Sequence, residues 1–522
     1  MRGRRRLVMV AGLAAGLLAV TAWWGSYGRD VPGESTPATR PPHLRPDYRG
    51  IVIPPNIAPL NFVVDEPGIA YCARIAGAEG PPIVVHSGDG SVEIPPGPWK
   101  TLLAQNRGKP LSVETYVRDR GRGWQRFEAF QWDVAEEEID PYLVYRILDA
   151  VYDCYKYVGI YQHNLESHAE TPLLFNSEFN RGCVNCHSFL NNRPESFLVH
   201  SRPGPDESIA AGPILVRDGK AARVKTRTAA IPRVAFVTSW HPSGDLAAFC
   251  VNWFGQFMRG TGAEIREVVD LDSDVEIVDF RSGEVSNSPG IADPDRLETF
   301  PCWSPDGKHL FFSSAPRLWE KTDFAPLKDY GKAKYDLMRI SYDVASNTWG
   351  EPELLLAAAE TGKSVLQPRA SPDGRYLLFC MCDHGPFPAF QEDSDLYLMD
   401  LADRSYRRLE KANSPRSESW HSWSSNSRWV VFSSRRDIGI VARPHICYID
   451  GSGQDHKAFV LPQHDPRFYD TSLNTYNLPE LITGPVTVPK QELIDALRTP
   501  APDAEFMPPR WSGFEEEAAA SE

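Results

Sequence analysis

The segment Trp303-Ser304-Pro305-Asp306-Gly307 recurs along this 522-residue chain in three further versions: Trp240-His241-Pro242-Ser243-Gly244, Ala370-Ser371-Pro372-Asp373-Gly374 and Trp423-Ser424-Ser425-Asn426-Ser427. A hydrophobic run typical of a β-strand follows each copy, over Leu246–Cys250, His309–Ser313, Tyr376–Cys380 and Trp429–Ser433. A Pro-Asp-Gly turn joins two antiparallel strands tightly, because proline presets a negative φ and glycine accepts a positive one. Sheets of this kind cannot bury both faces alone, so the repeat predicts several copies packed radially as a β-propeller.

These turns resemble those of the TolB-like propeller family over roughly residues 233–450. Four blades can be read directly, and the resemblance implies about six, with the others supplied by divergent segments before Arg233 and after Gly451. We therefore predict a mainly β protein whose propeller occupies residues 211–485.

The segments around the repeats predict smaller elements. Residues 51–135 hold short apolar runs separated by turn signals, which predict a β-sandwich-like domain. Over residues 136–210 the period changes, with Asp140 as an N-cap, Pro141 in the first turn and Leu143, Ile147 and Val151 at helical spacing. This predicts a short helical segment that carries the cysteine motif described below. Residues 486–522 are predicted to be a C-terminal tail that is partly disordered.

The charge pattern bears on location and partners. The formal net charge of −14 argues against nucleic-acid binding, which needs clustered Lys and Arg. The basic cluster Arg2–Arg6 precedes the uncharged apolar run Leu7–Trp24, which is the layout of an export signal. Residues 1–25 are thus predicted to be a cleaved signal peptide or a retained inner-membrane anchor, and residues 26–50 a Pro-rich linker. Either reading places the remaining chain in the periplasm or elsewhere outside the cytoplasm.

The segment Cys183-Val184-Asn185-Cys186-His187 matches the attachment signature of c-type haem. In that chemistry two thiols add to the haem vinyl groups and the adjacent histidine binds the iron. The motif predicts one covalent haem c, with thioethers at Cys183 and Cys186 and His187 as the proximal iron ligand. A redox-active cysteine pair, a disulfide and a zinc site remain alternatives. A zinc site would need further ligands, for which the nearest candidates are Cys380, Cys382 and His384.

The sixth iron ligand decides what a haem does, and the sequence offers only candidates. Met258 lies on a predicted loop, and His200 follows the motif closely. His163 and His168 precede the motif, whereas His241 replaces the serine of the repeat and is interpreted as a turn residue. The arginines that flank the motif are candidates for the haem propionates or solvated surface charges; these are Arg181, Arg193 and Arg202.

Three functions follow from these features. The favoured one is periplasmic electron transfer, in which the propeller provides a docking surface for redox partner proteins. The others are a haem enzyme or sensor with an open iron site, and an interaction scaffold in which the haem is accessory. The chain has no Gly-x-Ser-x-Gly elbow, phosphate-binding glycine loop or zinc-protease helix motif. We therefore assign no catalytic residue and predict a carrier or binding protein.

Overall fold

The computed structural model describes residues 30–149, 156–179, 181–203, 209, 211–228, 235–258, 260, 266–319, 329–499 and 505–506. They form two compact units, one of which comprises the chain up to Glu138 with Leu165–His168 and Pro462–Ser472. The other comprises Ile139–Asn164, Ala169–Leu461 and the chain from Leu473 onward. The predicted signal or anchor, residues 1–25, lies outside the described residues. No helix in the described part is long and apolar enough to cross a membrane.

The N-terminal unit is mainly β, as predicted. Its strands are β1 (Thr36–Pro37), β2 (Leu44–Arg45), β3 (Ile51–Ile53), β4 (Phe62–Val64), β5 (Ala70–Ala76), β6 (Ile83–Ser87), β7 (Ser91–Val92), β8 (Pro110–Asp119), β9 (Gly123–Arg126) and β10 (Phe130–Val134). In the larger sheet β8 pairs with β5, β9 and β10, and in the smaller sheet β4 pairs with β2 and β7.

Two features of this unit differ from the sequence prediction. Helix α1 (Pro96–Gln105) was not predicted; its Trp99 packs edge-on against Trp132, with ring centroids 5.7 Å apart. The predicted linker over 26–50 is wrong for its described part, because β1 and β2 belong to this unit. Arg40 there pairs with the buried carboxylate of Glu66 at 2.6 Å, which ties the segment to the domain.

The described residues of the second unit form six antiparallel sheets, which we number as blades. Blade 1 contains β11 (Tyr142–Leu148), β12 (Val158–Asn164) and β13 (Glu170–Phe175), and blade 2 contains β14 (Cys183–Phe189), β15 (Ser196–Arg202), β16 (Gly212–Arg217) and β17 (Lys220–Arg223). Blade 3 contains β18 (Thr238–Trp240), β19 (Leu246–Met258), β20 (Arg266–Asp279) and β21 (Glu284–Ser286), and blade 4 contains β22 (Arg296–Trp303), β23 (His309–Pro316), β24 (Asp336–Asp343), β25 (Thr348–Trp349) and β26 (Glu353–Leu356). Blade 5 contains β27 (Ser364–Ala370), β28 (Tyr376–Cys382), β29 (Asp395–Asp400) and β30 (Tyr406–Arg408), and blade 6 contains β31 (Glu418–Trp423), β32 (Trp429–Ser434), β33 (Arg443–Tyr448) and β34 (Phe459–Val460).

The last long strand, β35 (Thr475–Ile482), closes the ring by pairing antiparallel with β11, so blade 1 is built from both ends of the unit. The inner strands β35, β14, β18, β22, β27 and β31 neighbour one another in that order, and β31 meets β35 again. They surround a central channel. The predicted propeller and its implied six blades are therefore confirmed, and a short strand β36 (Glu505–Phe506) adds to the edge of blade 3.

The boundaries and one element type were predicted wrongly. The propeller begins at Tyr142 rather than residue 211, and the expected helix over this segment is strand β11. Leu143, Val144, Tyr145 and Ile147 are all buried, so the strand has apolar residues on both faces. A strand of this kind reads as a continuous apolar run, which periodicity does not distinguish from a helix.

The predicted C-terminal tail is ordered over its first part. Helix α2 (Lys490–Arg498) buries Leu493, Ile494 and Leu497 in one hydrophobic cluster with residues of blades 1 and 2. Disorder was predicted for the part of the tail beyond Pro500, and this prediction is not tested, because residues 500–504 and 507–522 lie outside the described residues.

Local hydrogen bonds explain the repeated turn. In blade 4 the Ser304 hydroxyl donates to Asp306 at 2.6 Å and accepts the backbone N–H of His309 at 3.0 Å. Ser371 with Asp373 and Ser424 with Asn426 repeat this arrangement in blades 5 and 6. In blade 3 His241 contacts the Ser243 hydroxyl at 2.8 Å and the Gly307 carbonyl at 3.1 Å. His241 is therefore a turn residue, as interpreted from the sequence.

Two equivalent turn glycines provide a matched test of this packing. Gly307 and Gly374 both have φ of 72°, but a Cβ on Gly307 would lie 2.3 Å from His241 Nε2, whereas one on Gly374 meets nothing within 4 Å. Gly374→Ala is expected to cost about 1 kcal/mol of unfolding free energy from the left-handed backbone alone. Gly307→Ala is expected to cost about 1–2 kcal/mol more, because the His241 ring must move. Urea denaturation of both variants checks this, and equal losses would contradict it.

Candidate functional site

The cysteine motif lies on β14, the inner strand of blade 2, at an irregularity in the sheet. The pairing register of β14 with β15 shifts between Val184 and His187, so Asn185 and Cys186 form a bulge. Four other inner strands shift register at the equivalent place, where a residue takes a φ between 50° and 55°: Phe300, Gln367, Trp420 and Leu478. Because a bulge redirects side chains, neighbouring residues of β14 face different parts of the channel.

Cys186 lines the first of two channel cavities, which we name the arginine cavity. It has a volume of about 1200 Å³, part of it open to solvent, and no Asp or Glu is among its described lining residues. Its cationic side chains come from four blades, and six aromatic rings complete the wall; these residues are Arg146, Arg202, Arg266, Arg435, Phe236, Phe254, Phe300, Phe387, Phe390 and Trp420. Arg266 lies 4.5 Å from the Phe390 ring centroid and Arg202 lies 5.2 Å from that of Phe236. The guanidinium groups and aromatic rings of the wall are suited to a flat, anionic group.

His187 lines the second cavity, which we name the tryptophan cavity. It has a volume of about 1460 Å³, including space open to solvent, and its walls carry Trp240, Trp303, Trp420 and Trp423. Its charged side chains among the described residues are Arg369 and Glu480. Trp420 and Leu478 line both cavities and lie between them. The two cavities therefore occupy opposite sides of a narrow part of the channel.

Burial dominates the electrostatics of the motif. Burial, followed by the nearby Arg146 charge, lowers the pKa of His187 to about 3, so the imidazole is neutral at physiological pH. The Val144 and Leu478 carbonyls lie near the ring, but among the described residues neither nitrogen makes a hydrogen bond of good geometry. Burial also raises the pKa of Cys186, which keeps this thiol protonated in the protein as it stands.

Glu480, in the tryptophan cavity, predicts a pH-dependent stability. Burial raises its pKa to about 8, and the Phe189 N–H and Arg369 oppose the shift only in part. Since the folded pKa lies above the unfolded value of 4.5, this carboxyl contributes stability that is present below pH 4.5 and lost as the pH rises through 8. Glu480→Gln should remove about 4 kcal/mol of that loss between pH 5 and pH 9.

Chemical denaturation of wild type and Glu480→Gln at both pH values measures this difference. Exposed Glu492→Gln on α2 is the matched control and should leave the wild-type pH dependence unchanged. A Glu480→Gln profile parallel to that of the wild type would contradict the prediction.

The two candidate distal ligands lie outside both cavities. Met258 is 55% exposed at the end of β19 and does not line the arginine cavity. His200 is buried, and its two ring nitrogens contact the Ala235 carbonyl at 2.9 Å and Thr238 Oγ1 at 2.7 Å. Burial lowers its pKa to about 4. As placed, His200 stabilises blades 2 and 3, and neither residue is positioned to bind iron at Cys186.

The other predicted residues are dispersed. His168 contacts the Pro59 carbonyl within the N-terminal unit, and His163 lies 3.4 Å from the Tyr145 hydroxyl. Of the flanking arginines only Arg202 lines the arginine cavity, while Arg193 pairs with Glu195 at the surface. Cys380 and Cys382 are buried within blade 5, and among the described residues no cluster of three or more His, Cys, Asp or Glu residues could hold a metal ion.

The site fits a c-type haem in part. The arginine cavity offers aromatic walls and cations for a flat ring with carboxylates, and Cys186 reaches it. Cys183 instead lies in the hydrophobic cluster between blades 1 and 2, and His187 faces the tryptophan cavity. Covalent attachment through both thiols would require the Cys183 side chain to turn toward the channel. Iron binding by His187 would require its imidazole to move from the tryptophan cavity to the arginine cavity, on the other side of the bulge.

Sequence reasoning missed most of the cavity walls. Arg146, Arg266 and Arg435 come from blades 1, 3 and 6, and no local motif marks them. Arg369 could have been found from an alignment of the repeats. It comes directly before the first residue of its turn, Ala370, and the equivalent positions in two other repeats are Cys302 and Ser422. Alignment of the inner strands would have shown this charge at the channel.

No family model matches the sequence, and no curated protein matches it. Among solved structures the fold is similar to TolB from Acinetobacter baumannii, at 12% identity and a TM-score of 0.39 over 71% of this chain and 79% of that chain. An oligogalacturonate lyase from Vibrio parahaemolyticus shows 11% identity and a TM-score of 0.32, with 60% of this chain and 92% of that chain covered. Hydrazine synthase of Kuenenia stuttgartiensis shows 10% identity and a TM-score of 0.35, with 63% and 48% covered. All three are likenesses of fold.

Proposed function

We propose that this chain is an exported protein that carries one covalent haem c in its propeller channel and transfers electrons between periplasmic partners. Cys183 and Cys186 would attach the haem, and His187 would bind its iron. When bound, the haem would supply a one-electron redox couple. The observation that carries the proposal is the Cys-Val-Asn-Cys-His sequence at the wall of a cavity lined by four arginines and aromatic rings.

The chain's own residues support a buried redox group in two ways. Aromatic side chains give the cavity an apolar wall for a flat ring, and guanidinium groups would compensate the carboxylates that a haem would bring. The Arg202 Nε is buried without a hydrogen-bond partner among the described residues, so it retains a donor for such a carboxylate. The basic and apolar N-terminus supports export to the compartment in which bacteria attach c-type haem, with cleavage and membrane anchoring both open. The blade edges supply docking surfaces for partner proteins.

The test is to produce the full chain in a periplasm competent for c-type haem maturation. Haem staining after denaturing electrophoresis and a pyridine haemochrome assay should give one covalent haem per chain. Visible and electron-spin spectra should then show a low-spin iron that is reduced reversibly and does not respond to carbon monoxide. Absence of covalent haem would overturn the proposal.

A second candidate is a haem enzyme or sensor with an open iron site. One observation favours it: the described lining residues of the arginine cavity include no methionine or histidine. In that case the iron would be high-spin or would bind carbon monoxide readily, and the same spectra decide between the two. If partner binding instead survives loss of the haem cysteines, the propeller acts as a scaffold and the haem is accessory.

A further inference from the structure

The tryptophan cavity has binding groups that the proposed haem does not use. Its rim is formed by the repeated turns, at Pro242, Pro305, Pro372 and Ser425, so it opens at the turn side of the propeller. Tryptophan rings form its walls. This combination provides apolar surface around an entrance large enough for a small organic molecule.

One cation, Arg369, lies in this cavity. It is on β27 and partly exposed, and its charge acts on the carboxyl of Glu480, the acidic group among the described lining residues. Its guanidinium donates to the Pro368 carbonyl at 3.1 Å, which leaves further N–H groups for a ligand. Burial raises the pKa of Glu480 to about 8, which favours the neutral form of this carboxyl and leaves Arg369 as the main charge of the cavity.

The wall also contains hydrogen-bond donors that no described protein group satisfies. Gln367 is 2% exposed; its Oε1 accepts the Trp420 N–H at 2.8 Å, whereas its Nε2 has no partner. Trp303 Nε1 is likewise unpaired, although the equivalent Trp240 and Trp423 donate to the carbonyls of Ser188 and Arg369. Unsatisfied buried donors are rare in folded proteins and often mark a ligand or water site.

We propose that the tryptophan cavity binds a small organic carboxylate, with Arg369 and Gln367 as the donors to its carboxylate and the tryptophan rings against its apolar part. A guanidinium beside free amide and indole donors matches a carboxylate, and the aromatic wall favours an organic body over an inorganic ion. Neither donor belongs to the cysteine motif, although His187 of that motif lines the same cavity.

Benzoate is the probe, because its apolar ring would contact the tryptophans. Titration of the full chain, followed by tryptophan fluorescence and calorimetry, should show saturable binding. Arg369→Gln should weaken binding by at least about tenfold, the loss of one charge-assisted hydrogen bond. Arg375→Gln, at an exposed position in the same blade, is the matched control and should bind as the wild type does.

A second variant and two further ligands complete the test. Gln367→Met keeps the length of the side chain and removes the free donor, so it should weaken binding by at least about tenfold while the circular dichroism spectrum is retained. Neutral benzyl alcohol and inorganic nitrate should each bind at least about tenfold more weakly than benzoate. Failure of wild type to bind benzoate, equal affinity for nitrate, or unchanged affinity in folded Gln367→Met would overturn the proposal. Benzoate binding by the Cys186→Ser variant distinguishes the test of the carboxylate site from the test of haem attachment.

Discussion

A chain that ends at Ser472 is expected to lose the cooperative fold of the propeller, because it lacks β35. Without that strand blade 1 has only β11–β13, and the inner edge of β11 exposes an unpaired row of backbone groups. The truncation also removes buried apolar side chains that join blades 1 and 2, among them Ile482, Leu493 and Leu497. Each fully buried side chain of this type contributes roughly 1.5–3 kcal/mol, so the combined loss approaches the whole stability of an ordinary domain, about 5–15 kcal/mol.

The matched control ends at Thr499 and retains both β35 and α2. Calorimetry and size-exclusion chromatography should show a sharp unfolding transition and a compact monomer for the control, and aggregation or no transition for the shorter chain. A shorter chain that unfolds as cooperatively as the control would show that ring closure by β35 is not needed.

On the proposed function, loss of covalent haem is the second large effect expected. Cys186→Ser removes the thiol that faces the arginine cavity, and Cys183→Ser removes its partner, so each should lower covalently bound haem by at least about tenfold. Haem staining per chain after denaturing electrophoresis measures this, and loss on cysteine substitution would also distinguish a thioether from haem trapped without a covalent bond.

Cys447→Ser is the matched control for these variants. Cys447 is a fully buried free thiol in blade 6, and its Sγ donates to the carbonyls of Tyr448 and His456. It should retain wild-type haem content, because it lies outside both cavities. Equal haem in all three variants would contradict attachment at the motif.

The blades could be predicted from the sequence because their turns are stabilised locally. Ser304 and Asp306 form all of their turn hydrogen bonds within six residues, so the chemistry of the turn is visible in the order of residues. The Cys-x-x-Cys-His spacing is local in the same sense. Segment 142–148 was predicted wrongly because its burial on both faces depends on β12 and β35, and β35 follows more than 300 residues later.

By itself, then, the sequence determined the repeated blade, the chemistry of its turns and the motif that predicts haem. Only the tertiary structure decided that blade 1 is shared between the two ends of the propeller and that the motif lies at a bulge in an inner strand. It also decided that Cys186 and His187 face different cavities. The physical reason is ring closure, which brings Arg146, Arg202, Arg266 and Arg435 from four blades to one cavity, and no short-range pattern records that proximity.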